Sequence, residues 1–155
     1  MKKNFLLTLL GITISIILIF MVIPSSRARE FKIKRCYYIN QTEFNTIKND
    51  LLKEQDDILV QKSDGNLYKV TINNEKNIMN ADEFKKIYKS IALFMEKYNV
   101  IYIHKEGENI IINFNSEISF AQNIVYLKDY NDYKFSHIID KKTKLNDLWY
   151  YIEEE

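Results

Sequence analysis

The sequence predicts an α+β fold: an N-terminal transmembrane or signal helix, then a ferredoxin-like (split βαβ) antiparallel sheet with two helices on one face and extra C-terminal strands. Three observations support this class. An uncharged apolar run comes first, a helix-and-hairpin pattern then occurs twice, and further alternating segments follow. Another helix-backed sheet, such as a cystatin-like one, is the alternative. We divide the chain into 1–28, the anchor or signal peptide, and 29–155, a single α+β domain.

The apolar run Phe5–Ile23 contains no charged residue, follows Lys2 and Lys3, and ends before Pro24. Nineteen residues at about 1.5 Å rise each can just cross a hydrocarbon core of roughly 30 Å. The run is longer than the apolar region of most cleavable signal peptides, which favours a retained single-pass anchor. Cleavage near Ala28, which would release a secreted protein, is the alternative.

Two opposing signals bear on the orientation of this anchor. Basic residues are more numerous after the run than before it, which by the positive-inside rule indicates a domain in the cytoplasm. A Lys-Lys pair, an apolar run, a proline and small residues are typical of a bacterial export signal. We expect a cell-membrane protein with its domain outside the membrane, and the cytoplasmic location is the alternative.

The first half of the domain is predicted as a strand, a helix and a hairpin. Alternating apolar residues indicate a strand over Arg29–Ile39, and Asn40 with Glu43 has the pattern of a capping box that begins a helix. Strands are then predicted over Asp57–Lys62 and Leu67–Asn73, joined by an Asp-Gly turn that suits a tight hairpin.

The same order of elements then recurs. Asn80 with Glu83 forms a second capping pattern, followed by a helix over residues 84–98. A second hairpin has strands over residues 100–105 and 110–115, joined by a turn that contains a glycine. We interpret this as one helix–hairpin unit used twice, and coincidence among common turn and core residues is the alternative. The apolar residues at helical spacing in the second helix are Phe84, Ile87, Tyr88, Ile91, Met95 and Tyr98.

The C-terminal segment completes the predicted domain. Residues 119–128 add a strand, and the polar and aromatic stretch Tyr130–Lys144 is expected to be a long loop. Leu145–Ile152 is expected to pack on the domain, and Glu153–Glu155 to form a solvated tail.

Composition excludes several classes of function. Lys+Arg 22 against Asp+Glu 21 gives a nearly neutral chain, which argues against a nucleic-acid binder. The single cysteine, Cys36, cannot form an internal disulfide or a Cys-based zinc site, and three glycines cannot supply a Gly-rich phosphate loop. We therefore predict no cofactor and no metal.

Catalytic chemistry has few candidate residues. His104 and His137 are the two histidines, and they are the side chains whose pKa ordinarily lies near neutrality. Paired carboxylates could support hydrolysis, so a small envelope hydrolase that uses carboxylates with His104 or His137 is the alternative function. The scarcity of Gly, Cys and His favours a protein without catalytic activity. The carboxylate pairs are Asp56–Asp57, Glu106/Glu108 and Asp129/Asp132.

Tyrosine is the most unusual part of the composition, with 11 Tyr beside 9 Phe. In an alternating strand one of two adjacent tyrosines faces away from the core, where its ring would suit a protein partner or, alternatively, a glycan. Tyrosine that completes a half-buried sheet face is a third interpretation. We predict a membrane-anchored extracytoplasmic interaction or accessory module of a bacterial envelope that binds a protein partner. The candidate binding residues are Tyr37, Tyr38, Tyr130, Tyr133, Trp149, Tyr150 and Tyr151.

Overall fold

The computed structural model describes residues 25–63, 67–117, 120–128 and 139–154. The chain divides into two units, Met1–Ile33 and Lys34–Glu155, and the sheet belongs to the second. No helix within the described ranges is long and apolar enough to span a membrane. Several predicted features lie outside these ranges: the apolar run Phe5–Ile23, the Asp-Gly turn, Tyr130, Tyr133, His137, Asp129 and Asp132.

The described part of the chain forms four helices and one eight-stranded antiparallel sheet, which confirms the α+β class. The helices are α1 (Ser25–Ile39), α2 (Gln41–Lys53), α3 (Ala81–Ile87) and α4 (Lys89–Tyr98). The strands are β1 (Ile58–Ser63), β2 (Leu67–Ile72), β3 (Glu75–Asn80), β4 (Tyr102–Glu106), β5 (Asn109–Glu117), β6 (Phe120–Tyr126), β7 (Ile139–Asn146) and β8 (Trp149–Glu154). Their order in the sheet is β3-β2-β1-β4-β5-β6-β8-β7.

The helix–hairpin pattern occurs twice in this fold, each time with a third strand added. The first set is α2-β1-β2-β3, and the second is α3-α4-β4-β5-β6. β1 and β4 pair antiparallel at the junction of the two sets, with Val60 opposite Ile103. From this β1–β4 seam the two sets of strands extend in opposite directions across the sheet.

The ferredoxin-like order is not confirmed, because the strand that it requires before the first helix was predicted wrongly. Arg29–Ile39 belongs to helix α1. Five of its eleven residues are Arg, Lys or Glu, whose straight side chains lose little rotamer freedom in a helix. Successive side chains of an α-helix point about 100° apart, so Tyr37 is buried whereas the adjacent Tyr38 is 51% exposed.

Only one of the two predicted capping boxes forms. Asn80 Oδ1 accepts hydrogen bonds from the backbone N–H groups of Asp82 and Glu83, and the Glu83 carboxylate accepts one from the Asn80 N–H. The Asn40 side chain makes no such bond to α2. Its Nδ2 donates instead to the Cys36 carbonyl at 2.8 Å, so Asn40 satisfies an acceptor at the end of α1.

The structure differs from the prediction in two places, at the end of the first half of the repeat and in the helix of the second half. β3 was not predicted, and it follows a two-residue turn in which Asn73 and Asn74 both have positive φ, 46° and 70°. Asparagine tolerates this conformation, and the tight hairpin requires it. The helix predicted over residues 84–98 is interrupted at Tyr88, which separates α3 from α4.

The C-terminal segment is more ordered than predicted. Residues 139–144, expected in a loop, belong to β7. Glu153 and Glu154, expected in a solvated tail, lie in β8 and are 7% and 5% exposed. Residues 120–126 form β6, which confirms the strand predicted there.

The main core lies between the helices and one face of the sheet. Phe44 of α2 is central, with ring centroids 5.0 Å from Phe94 and 5.9 Å from Trp149. Tyr68 of β2 stacks on Phe84 of α3 at 4.2 Å. Because side chains alternate along a strand, the other face carries a separate apolar cluster. Its buried members are Ile111, Val125, Leu127 and Ile152.

Candidate functional site

The predicted aromatic surface is divided between buried and accessible residues. Three of its seven residues are buried, so they cannot meet a partner in this fold: Tyr37, Trp149 and Tyr151. Tyr38 is exposed, and Tyr150 is partly buried against the second apolar cluster. Tyr130 and Tyr133 lie outside the described residues. Tyr37 and Trp149 are buried because both rings make edge-to-face contacts with Phe44 in the aromatic core.

Tyr151 belongs to a buried polar network that the sequence did not indicate. Its hydroxyl donates to Glu153 Oε1 at 2.5 Å, and Gln122 Nε2 donates to the Tyr151 hydroxyl at 2.8 Å and to Glu153 Oε1 at 3.1 Å. The Lys34 ammonium lies 4.8 Å from the centre of the Tyr151 ring and donates to Thr143 Oγ1 at 3.0 Å. These contacts join β6, β7, β8 and α1 within the domain.

A cleft of about 540 Å³ opens between the end of α2 and the junction of α3 with α4; we call it the helix-break cleft. Ile87 and Leu93 border it, and their side chains are 60% and 51% exposed. Exposed aliphatic side chains beside a concave apolar wall are the usual composition of a surface that binds another molecule. The other apolar residues of the wall are Leu51, Ile58, Tyr88 and Ile91.

Tyr88 lines this cleft and interrupts the helix between α3 and α4. Its backbone has φ −118° and ψ 52°, outside the helical region. The Tyr88 N–H still donates to the Phe84 carbonyl at 2.7 Å, and its carbonyl accepts from the Ala92 N–H at 2.9 Å. Both backbone groups of Tyr88 are therefore satisfied. Helical spacing had predicted Ile87 on the buried face, and the interruption leaves it exposed instead.

The rim of the helix-break cleft carries both signs of charge. Lys53 Nζ lies 3.0 Å from Asp50 Oδ1, and this hydrogen bond holds the pKa of Asp50 below its usual value. Burial raises the pKa of Tyr88, and the Glu54 carboxylate raises it further. Lys89 adds a second cation at the edge. Two acidic and two basic side chains leave the rim without a net charge, so the apolar wall determines what kind of group the cleft can bind.

A second, polar depression of about 430 Å³ lies on the sheet face opposite the helices; we call it the His104 depression. Leu59 of β1 pairs with His104 on one side and with Thr71 on the other, so the three side chains form a row. Asp57 and Glu106 line the same depression. The structure thus brings one imidazole and two carboxylates to one place.

Turns at the strand ends position these carboxylates. Asp57 Oδ1 accepts a hydrogen bond from the Gly107 N–H at 2.7 Å, and Gly107 adopts the positive φ, 56°, that its turn requires. Asp56 Oδ1 accepts from Asn73 Nδ2 at 2.6 Å. Glu108 forms an ion pair with Lys128. The two predicted carboxylate pairs that lie within the described residues are therefore split, and Asp57 instead lines one depression together with Glu106.

The chemistry available to the His104 depression is proton transfer. Histidine and carboxylate side chains are the groups that enzymes use to activate a water molecule or to protonate a leaving group, and both types line this depression. Within the ranges that the structure describes, no group of three His, Cys, Asp or Glu side chains is placed to hold a metal ion.

Other proteins give no guide to the choice between the two sites. No protein-family model matches this chain, and no curated protein and no solved structure matches it either. Its function is therefore to be argued from its own residues.

Proposed function

We propose that this chain is a membrane-anchored interaction module whose helix-break cleft binds a polypeptide partner outside the membrane. One observation carries the proposal: two exposed aliphatic side chains, Ile87 and Leu93, stand beside an apolar cleft that the fold forms without a partner. A pre-formed site avoids the ordering cost that a flexible surface meets on binding.

The chemistry of the cleft defines what would fill it. A wall of aliphatic side chains and one tyrosine favours an aliphatic or aromatic anchor, such as the apolar face of an amphipathic helix. Lys53 and Asp50 already neutralise each other at the rim, so the partner needs no particular charge there. This proposal moves the binding surface from the aromatic residues chosen from sequence to the junction of α3 with α4.

The membrane anchor is the second part of the proposal. The uncharged run Phe5–Ile23, the two lysines before it and Pro24 after it support insertion and export. Protease added to intact cells tests the location, because a domain outside the membrane is cleaved whereas a cytoplasmic one is protected. Protection of the full domain would contradict the external location, and a mature chain that begins near Arg29 would contradict the anchor.

Site-specific photocrosslinking tests the cleft. A photoreactive amino acid replaces Leu93 at the cleft edge, and in a matched control it replaces Lys76, which is exposed on β3. We expect an adduct of defined mass from position 93 that Ile87→Asp abolishes and that the control position does not give. Equal adducts at both positions, or an adduct insensitive to Ile87→Asp, would contradict the proposal. An adduct of twice the chain mass would identify the partner as a second copy.

A small envelope hydrolase is the second candidate, because His104, Asp57 and Glu106 line one depression. In hydrolysis His104 would accept a proton from the attacking water and return it to the leaving group, while a carboxylate orients the imidazole and stabilises its protonated form. The test measures hydrolysis of aryl ester and aryl glycoside substrates by the full chain. Under this hypothesis His104→Ala and Asp57→Asn abolish activity, whereas Glu108→Gln, outside the depression, preserves it. Activity that survives both substitutions would exclude the site.

A further inference from the structure

The first residues of α1 are strongly basic and follow the apolar run closely. Residues 27–35 contain five Arg or Lys and a single acidic residue, Glu30. Arg27 follows Ile23 by four positions, which is at most about 14 Å of extended chain. If the run is inserted in a membrane, Arg27 therefore lies within reach of the lipid headgroups in any conformation of the connecting residues.

The exposed side chains at the start of α1 combine positive charge with an aromatic ring. Arg27 and Phe31 are four residues apart in a helix, so they share a face, and Lys32 lies at the edge of that face, about 100° further round the helix from Phe31. Phe31 is 67% exposed, and Arg27 and Lys32 are also exposed. Water is an unfavourable environment for a phenyl ring, whereas the boundary between headgroups and acyl chains accepts the ring together with the cations around it.

We propose that this face of α1, formed by Arg27, Phe31 and Lys32, lies on the membrane surface and binds the headgroups of anionic phospholipids. The proposal rests on the membrane anchor proposed above. Each cationic side chain raises the affinity for an anionic membrane about fivefold, and Phe31 enters the boundary between headgroups and acyl chains. Anionic lipid fits because the segment has four more basic than acidic residues between positions 27 and 35.

The test uses the full chain in vesicles and a fluorophore close to the proposed face. Cys36→Ser removes the native thiol, and Ala28→Cys provides an exposed labelling position that leaves Arg27, Phe31 and Lys32 unchanged. The vesicles contain phosphatidylcholine alone or mixed with phosphatidylglycerol, each with a nitroxide lipid that quenches the fluorophore. A matched protein carries the label at Lys76→Cys on β3.

We expect quenching at position 28 to be roughly twofold or more stronger in the anionic vesicles, and to decrease in high salt. The double variant Arg27→Gln/Lys32→Gln should lose this dependence on lipid charge, and the label at position 76 should show none. Equal quenching in both vesicle types, with the chain inserted in both, would overturn the lipid-binding face. Vesicle flotation measures whether the chain is bound at all. A chain that floats only with anionic vesicles would support lipid binding by this face but contradict the membrane anchor.

Discussion

Tyr151 and Glu153 lie two residues apart on β8 and face the same side, where the Tyr151 hydroxyl donates to the Glu153 carboxylate in a buried environment. Gln122 of β6 donates to both. A buried carboxylate is stable only where donors replace its lost hydration, and these two side chains supply them. The network therefore fixes the pairing of β6 with β8 near the end of the described chain.

Removal of the Glu153 carboxylate should destabilise the domain. In Glu153→Ala the buried donors of Tyr151 and Gln122 lose an acceptor, which costs about 1–3 kcal/mol of unfolding free energy. Denaturant titration of the full chain in detergent, followed by circular dichroism, measures this loss. Glu75→Ala on β3, where the side chain is exposed, is the control and should change stability by less than about 0.5 kcal/mol. Equal effects of the two substitutions would show that the network contributes nothing.

The two asparagines of the predicted capping boxes should respond differently to substitution. Asn80→Ala removes two hydrogen bonds to the first turn of α3 and should cost about 1 kcal/mol. Asn80→Asp should retain most of the stability, because a carboxylate also accepts from these N–H groups. Asn40→Ala removes no cap of α2 and only one side-chain hydrogen bond, to the Cys36 carbonyl, so it should cost less. If Asn40→Ala costs more than Asn80→Ala in the same denaturant titration, the assignment of the caps is wrong.

The contact of Glu43 with Lys97 should make stability depend on pH. Hydrogen bonds from Lys97 and then Tyr98 hold the pKa of Glu43 below its usual value near 4.5. A lowered pKa in the folded state means that the contact stabilises at pH values above the usual pKa and is lost as pH falls through the lowered one.

Thermal unfolding of the native chain and of Glu43→Gln at pH 7 and at pH 3 checks this dependence. We expect a lower midpoint for the variant at pH 7 and a smaller difference at pH 3. High salt should also reduce the difference, because both side chains are about half exposed. Glu75→Gln serves as the control, and a difference that stays constant with pH would contradict the assignment.

Phe44 should be the most sensitive position in the core. Phe44→Ala leaves a cavity among Phe94, Tyr37 and Trp149 and should cost about 3–5 kcal/mol. Trp149 is the single tryptophan, so its fluorescence reports the loss directly. Phe44→Leu, which fills much of the volume, should cost clearly less. Similar losses in the two variants would place the main packing contacts elsewhere.

Local patterns predicted the elements whose signal lies within a few residues. Alternation and a glycine turn are enough for the β4–β5 hairpin, and its pairing of His104 with Ile111 agrees with them. The capping pattern was correct at Asn80 and wrong at Asn40, although both have glutamate three residues later. The difference comes from tertiary structure: Lys97 and Tyr98 of α4 engage Glu43 and hold it away from the backbone.

The candidate sites depend on contacts that no local pattern contains. Helical spacing placed Ile87 in the core, and the interruption at Tyr88 reverses this. The His104 depression joins residues from β1, β2 and β4, so it required the strand order. One feature of the sequence did point to this depression: Asp57 and Glu106 are carboxylates at the ends of two predicted strands. Tyrosine content, by contrast, did not separate core from surface, because four of the nine tyrosines that the structure describes are buried.

The β1–β4 seam has a consequence for the order in which the chain folds. Five of the seven strand pairings join strands that are consecutive in the sequence, and such hairpins form within microseconds. The seam instead brings Val60 to Ile103, so it closes a long loop that holds β2, β3, α3 and α4. We therefore expect the hairpins on either side to form early and the β1–β4 pairing, which must first close this loop, to form later.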